Sequence, residues 1–259
     1  MHSHPQWQAQ GLGGGICGAE CCHPRMVHPA RKVTQPITSC VSMAQLPDLT
    51  DLRFTYSGIL PHLPFAFIRK HADDIALIWF GIPCTSWSRA RRHDGGPPPL
   101  RDDNEFLQAG CPNLSPKDQK KVSEGNSLLQ VTLLLISLAN SLHITWVLEN
   151  PFTSRIWLVP DIKALQKAGS VLLRVDYCAY GTPWRKSTGL LHSGFHNLPN
   201  ACFTCHSCAG RCEFSGHRHL SLTGKDSNNQ WMTLRAQPYP LQLCKQVALQ
   251  LLEQFGGHL

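Results

Sequence analysis

The sequence predicts an α/β fold with a small Cys/His-rich insert, on three observations. Residues 75–81 (IALIWFG) and 144–148 (ITWVL) are short continuous apolar runs, the pattern of strands buried on both faces. A long amphipathic segment between them has the length and spacing of a crossover helix. Each run also stops at residues able to do chemistry: Pro83-Cys84 after the first, Glu149-Asn150-Pro151 after the second.

Composition bounds the function classes. The chain has 259 residues, 42% hydrophobic and 16% charged, enough for one large domain with a real core, or one plus a small appendage. Net charge is +7 with a pI near 8.9, an excess that suits a phosphate-bearing partner. No run of eighteen apolar residues and no charged-then-apolar amino terminus is present, so neither a membrane span nor a secretory signal is expected and an intracellular protein is. Twelve Cys in such a chain point to thiols, a catalytic Cys or a metal site rather than to a disulfide scaffold.

Residues 1–45 read as an irregular tail, with Cys17, Cys21, Cys22 and Cys40 scattered among His, Pro and Gly. Gly11 to Gly15 could form a phosphate-cradling turn, but His4 to Gln10 before it is polar apart from Trp7 and Ala9, so no strand leads into it. From Leu46 the chain is more ordered: a short strand closes around residues 49–52, and residues 60–71 read as a helix feeding the strand at 75–81. Because ligands in open α/β sheets bind beyond the carboxyl ends of the strands, Cys84 is held at the mouth of a crevice and is a candidate nucleophile.

The loop after Cys84 carries Arg89, Arg91, Arg92 and Arg101 around Gly95-Gly96, a composition that could close over a polyanion. Ser115-Pro116 has the signature of a helix start, with Pro at the first helical position, and the apolar face from Val122 to Leu138 continues that helix to near Asn140. If the strands at 75–81 and 144–148 are neighbours, the Cys84 thiol and the Glu149 carboxyl face one crevice. Desolvated there, Glu149 has a raised pKa and can donate a proton to a ring nitrogen while the thiol attacks the conjugated carbon. Residues 160–167 form a helix with Gly169 as its stop, residues 171–177 a strand, residues 180–186 a turn with two cations, and Gly189-Leu190-Leu191 the start of a further strand.

Three of these stretches resemble motifs of the cytosine-C5 methyltransferases. Pro83-Cys84-Thr85-Ser86-Trp87-Ser88 is similar to their Pro-Cys-Gln-x-Phe-Ser, Glu149-Asn150-Pro151 to their Glu-Asn-Val, and Gly181-Thr182-Pro183-Trp184-Arg185-Lys186 to their Gly-Val-Pro-Gln-x-Arg-x-Arg. The resemblance runs from Asp48 to Leu191. It continues more weakly through Thr233, Tyr239-Pro240 and the helix pattern at 241–255. It implies a Rossmann-like methyltransferase sheet, S-adenosylmethionine as donor and cytosine in nucleic acid as acceptor, with DNA the expected partner, RNA the alternative, and the nucleus or nucleoid the setting. In that reading Cys84 attacks C6, Glu149 holds N3, and Arg185 and Lys186 support the base and the closed loop. Pro83, Ser88, Arg89, Arg91, Arg92 and Asn150 line the substrate.

Trp184, Thr188 and Pro151 depart from the family pattern, and no glycine turn following a first strand precedes Leu46. Gly13 and Gly15, with Asp51, are the residues assigned to the cofactor. The expectation is a sheet truncated at its amino terminus that binds S-adenosylmethionine weakly. The family's place for target recognition here holds Cys202, Cys205, Cys208 and Cys212, then His217 and His219, a set suited to tetrahedral Zn(II) but with more candidates than four. Cys202 or Cys205, with Cys208, Cys212 and one His, is the choice spacing leaves open. The organisation is therefore an irregular tail (1–45), a methyltransferase-like core (46–200), a zinc knuckle (201–228) presenting Arg211, Arg218 and Lys225 to phosphate, and a closing segment with a terminal helix (229–259). Two functions fit: a DNA cytosine-C5 methyltransferase, or a catalytically inactive nucleic-acid-binding remnant that keeps the base pocket and the knuckle.

Overall fold

A five-stranded mixed sheet organises the chain in a computed structural model that describes residues 40–42, 62–91, 97–104, 108–207 and 209–256. Its strands are β1 (Cys40–Ser42), β2 (Leu77–Gly81), β3 (Thr145–Pro151), β4 (Val171–Asp176) and β5 (Ser187–Ser193), in the order β1-β2-β3-β5-β4. β1, β2 and β3 are parallel neighbours, and β5 inserts antiparallel between β3 and β4. The helices are α1 (His62–Lys70), α2 (Pro116–Ser141), α3 (Pro160–Lys167), α4 (Met232–Arg235) and α5 (Leu241–Gln254).

The apolar runs have the two-sided burial expected of them. Ile78, Phe80, Trp146 and Leu148 belong to one core with the α2 residues Leu129, Leu135 and Ile136 and the α3 residue Ile162. Leu77 and Val147, one position out of phase, belong to the opposite core with Leu243, Val247 and Leu251 of α5. Alternate side chains of one strand thus enter different layers, which is why polar residues have no place in those runs. Phe80, Trp146, Val147 and Leu148 are completely buried. Truncating Trp146 to Ala would cost on the order of 3–5 kcal/mol.

Most predicted elements stand where the periodicity put them. Ser115 caps α2, its hydroxyl accepting the Asp118 amide at 3.2 Å, and Pro116 opens the helix. α3 spans the predicted residues, with Gly169 just beyond it at φ +104°. α2 is long and apolar enough to cross a membrane by length and composition alone, yet Val122, Leu129, Leu135, Ile136 and Ala139 are buried within the fold.

One boundary is corrected. Cys40 to Ser42, assigned to the irregular tail, form a strand in register with Leu77 to Trp79, so the sheet has a parallel neighbour on the far side of β2. Three residues with one aliphatic side chain carry no periodicity to read; the strand exists through its pairing. The short strand expected at 49–52 lies outside the described residues.

Candidate active site and metal centre

Register decides the geometry of the first site. Gly81 of β2 pairs with Glu149 of β3, so the chain leaving β2 emerges beside that carboxylate. Cys84 follows in a tight turn, its carbonyl accepting the amides of Trp87 at 3.0 Å and Ser88 at 2.8 Å. Asn150 anchors this turn from below: it is fully buried and its Nδ2 donates to the Ile82 carbonyl at 2.8 Å. The two motif strands are therefore neighbours, as the sequence predicted, and Asn150, assigned to substrate, holds the loop bearing Pro83 and Cys84. Pro83 and Cys84 are both exposed.

Glu149 is buried, and burial pushes its carboxyl pKa up, opposed by the Lys186 ammonium and by a hydrogen bond from Tyr239. The Tyr239 hydroxyl donates to Glu149 Oε2 at 3.1 Å and accepts the Trp79 indole N–H at 3.1 Å. Although Cys84 as a residue is exposed, the protein mass around its sulfur raises the thiol pKa; Lys186 pulls it down and Glu149 pushes it up. Lys186 thus acts on both groups, with its ammonium 4.6 Å from the Tyr177 ring centre and 3.4 Å from that residue's hydroxyl. Tyr239, Tyr177 and Trp79 were not singled out as site residues. Tyr239 falls in the closing segment the family resemblance covered, the one signal that pointed toward it.

The arginine loop is not a free polycation. Arg89 pairs with Asp103 at 2.6 Å, and Arg91 with Asp118 at 3.4 Å. Arg155 also reaches Asp103, at 3.1 Å. Arg101 is completely buried, its guanidinium lying 3.4 Å from the Trp87 ring centre and donating to Ser86 Oγ, Asn126 Oδ1 and the carbonyls of Gln108 and Val122. That stack explains a glycine inside α2. A Cβ at Gly125 would lie 2.5 Å from Ser86 Oγ and 2.9 Å from an Arg101 nitrogen, so the helix accepts a poor helix former to let the loop approach. Ser88 Oγ accepts the Ala90 amide at 3.1 Å, completing the turn. Arg92 lies outside the described residues, as do Gly13, Gly15 and Asp51.

A second constellation lies beyond β4. Cys178, Cys205, Cys212 and His219 each present a ligand atom, all within 4.8 Å of one another, a group that could hold a metal ion. Cys178 comes from the 3-10 turn Tyr177–Tyr180, which Gly181 closes at φ +86°. Cys205 is set by its own amide, which donates to Asp176 Oδ2 at 2.8 Å. Cys212 and His219 flank a small hairpin in which Arg211 bridges Arg218 and the Cys212 amide donates to the His217 carbonyl at 2.8 Å.

Among the described residues this grouping selects from the candidates that spacing left open and adds one from outside them. Cys205, Cys212 and His219 belong to it and Cys178 joins them, whereas His217 stands outside it. Cys202 packs against the core under α5, where burial raises its thiol pKa to about 12. Cys208 lies outside the described residues. Arg185, assigned to catalysis, belongs to the footing of the same insert, bonded to Asp176 and to Ser207 at 3.3 Å each.

Burial raises Cys212, but hydrogen bonds from Ser215, Phe214 and His219 outweigh it and bring the pKa to about 6. Burial and the neighbouring thiols drive Cys178 the other way, well above a free thiol.

No protein-family model, curated protein or solved structure matches this chain.

Proposed function

We propose that the chain is a cytosine-C5 methyltransferase-like protein that takes a cytosine of DNA into the crevice between the ends of β2 and β3. The observation that carries this reading is the Gly81–Glu149 register, which brings Cys84 and a buried carboxyl to one edge, with Lys186 acting on both.

The chain's own residues can activate the base. The Cys84 thiolate forms a bond to C6 of the ring, the C5–C6 π electrons move toward N3 and the C4 amino system, and the Glu149 carboxyl delivers a proton to N3. The product is an enamine nucleophilic at C5. Glu149 suits the task because burial raises its pKa above that of an ordinary carboxyl, which favours the protonated form that a proton donor needs. Lys186 favours the thiolate, and Tyr239 fixes one carboxyl oxygen, Oε2, through its hydroxyl. The insert adds a surface for the strand: Phe203, Phe214 and Trp231 are exposed aromatics, Arg211, Arg218 and Lys225 are exposed cations, and Lys225 lies 5.2 Å from the Trp231 ring centre.

β1 is described only over Cys40–Ser42, the glycines and Asp51 assigned to the cofactor lie outside the described residues, and Glu149 is engaged by Tyr239. A second reading, a nucleic-acid-binding protein that keeps the base pocket without transfer, rests on the exposed aromatics and cations between residues 203 and 231.

Incubation with tritiated S-adenosylmethionine and either DNA or RNA separates the two. The transferase reading expects tritium in DNA, and a covalent adduct with 5-fluorocytosine DNA that Cys84→Ser abolishes. Binding without tritium incorporation or adduct would replace the first reading with the second. Incorporation into RNA alone would move the acceptor, and an adduct surviving Cys84→Ser would remove Cys84 as nucleophile.

A further inference from the structure

We infer that Cys178, Cys205, Cys212 and His219 form a tetrahedral Zn(II) site that staples the Cys/His-rich insert to the end of β4. The inference is independent of any reaction at Cys84. Its first support is spacing. Cys205 Sγ lies 3.9 Å from Cys212 Sγ and 3.8 Å from His219 Nε2. Zn–S bonds of about 2.3 Å in a tetrahedron separate sulfurs by about 3.8 Å, so the pairs stand at the edge length of an S3N site. Hydrogen bonds between thiols span similar distances, but the convergence of three sulfurs and an imidazole nitrogen within 4.8 Å of one another is the arrangement a tetrahedral ion requires.

The second support is enclosure. Cys178, Cys205 and Cys212 form a small buried cluster of their own, apart from the two main cores, while His219 is half-buried. Among the described residues of 202–219 there is no helix and only an isolated bridge, and Phe203 and Phe214 face solvent. A segment with so little core of its own needs a staple, and a metal supplies folding free energy to such segments. The third support is chain connectivity. One ligand comes from the turn after β4 and three from the insert, so the ion closes a loop between two parts of the fold. At the other end, the Leu220 amide donates to the Pro183 carbonyl at 2.8 Å, so the insert is tied to the β4–β5 connection on both sides of the cluster.

The test uses the full chain. Elemental analysis after purification is expected to give one zinc per chain, and Co(II) substitution to give the intense d–d bands and thiolate charge-transfer bands of a tetrahedral S3N centre. Alkylation of the native protein, read by peptide mass spectrometry with and without chelator, is expected to show Cys178, Cys205 and Cys212 protected together and released together. Cys178→Ser is expected to weaken metal binding more than about a hundredfold, since even partners one shell further out are worth 10- to 100-fold. Cys178→His, which keeps a ligand, is expected to retain Co(II) while shifting its bands to those of an S2N2 centre. Cys202→Ser, Cys208→Ser and His217→Ala are expected to leave the spectrum unchanged. A chain that purifies and reconstitutes without metal overturns the inference. So does an unchanged S3N spectrum in Cys178→His, alkylation of Cys178 in the metal-loaded protein, or loss of the centre in any of the three control variants.

Discussion

The hydroxyl of Tyr239 donates to the Glu149 carboxylate across 3.1 Å, joining residues ninety positions apart in the chain. The bond stabilises the charged form of a buried acid, so its removal raises the Glu149 pKa further. Tyr239→Phe is expected to move the Glu149 titration to higher pH, followed by carbon NMR of the labelled carboxyl, at a cost of about 1 kcal/mol in stability. An unchanged or lower midpoint would mean that Tyr239 does not set this acid.

Lys186 has a separate readout at Cys84. Its ammonium lowers the thiol pKa, which burial has already raised above the ordinary 9.0. Lys186→Met is expected to slow iodoacetamide alkylation of the Cys84 peptide by roughly three- to tenfold at pH 8, and to shift the pH–rate profile upward. Equal rates at every pH would remove Lys186 from the site.

Gly125 is a packing prediction with a defined partner. Adding one methyl group drives it into Ser86 Oγ, Arg101 and the Trp87 indole nitrogen, all held in a buried stack. Gly125→Ala is expected to destabilise the chain by about 1–3 kcal/mol despite the better helix propensity of Ala. The Cys84 loop is expected to become more accessible, seen as faster limited proteolysis between α2 and β2. A stabilised variant would show that the stack yields freely.

His192 provides the acid sensitivity. It is buried on β5 with neither ring nitrogen hydrogen-bonded, and burial, helped by nearby His196, lowers its pKa to about 4. Below the ordinary value of 6.5 the unfolded chain binds a proton that the folded chain refuses, so this contribution is complete above pH 6.5 and fades as pH falls toward 4. The full difference is on the order of 3 kcal/mol. Denaturant titrations of the wild type and His192→Leu at pH 7 and pH 4.5 are expected to diverge, the variant losing less. Parallel losses would show that other groups carry the acid response.

Legibility followed how local each signal was. β2 and β3 were readable because a strand buried on both faces leaves an unbroken apolar run, and Cys84 and Glu149 because they end those runs. Their adjacency followed from the crossover helix between them. Cys178 was not readable as a ligand: spacing rules search a short window, and this thiol belongs to another element that only the folded chain brings to Cys205. Arg185 was placed with Lys186 by the motif resemblance, but in the fold Asp176 binds it on the insert side. Arg89 and Arg91 read as phosphate contacts because they share a glycine-hinged loop with Cys84, and their ion pairs with Asp103 and Asp118 appear only in the folded chain.

Asp176 carries a consequence for how such a chain can change. Fully buried at the end of β4, it accepts Arg174, Arg185 and the hydroxyl of Ser187, and also the amide of Cys205, while its own amide donates to Phe203 at 2.9 Å. The insert therefore has no seam at its sequence boundary. A cassette of residues 202–219 moved into another protein would leave behind the carboxylate that seats it, and a foreign cassette placed here would strand two arginines around an acid with an empty face. Exposed positions such as Phe214 and Arg218 can vary one at a time, but wholesale exchange would have to begin at Asp176.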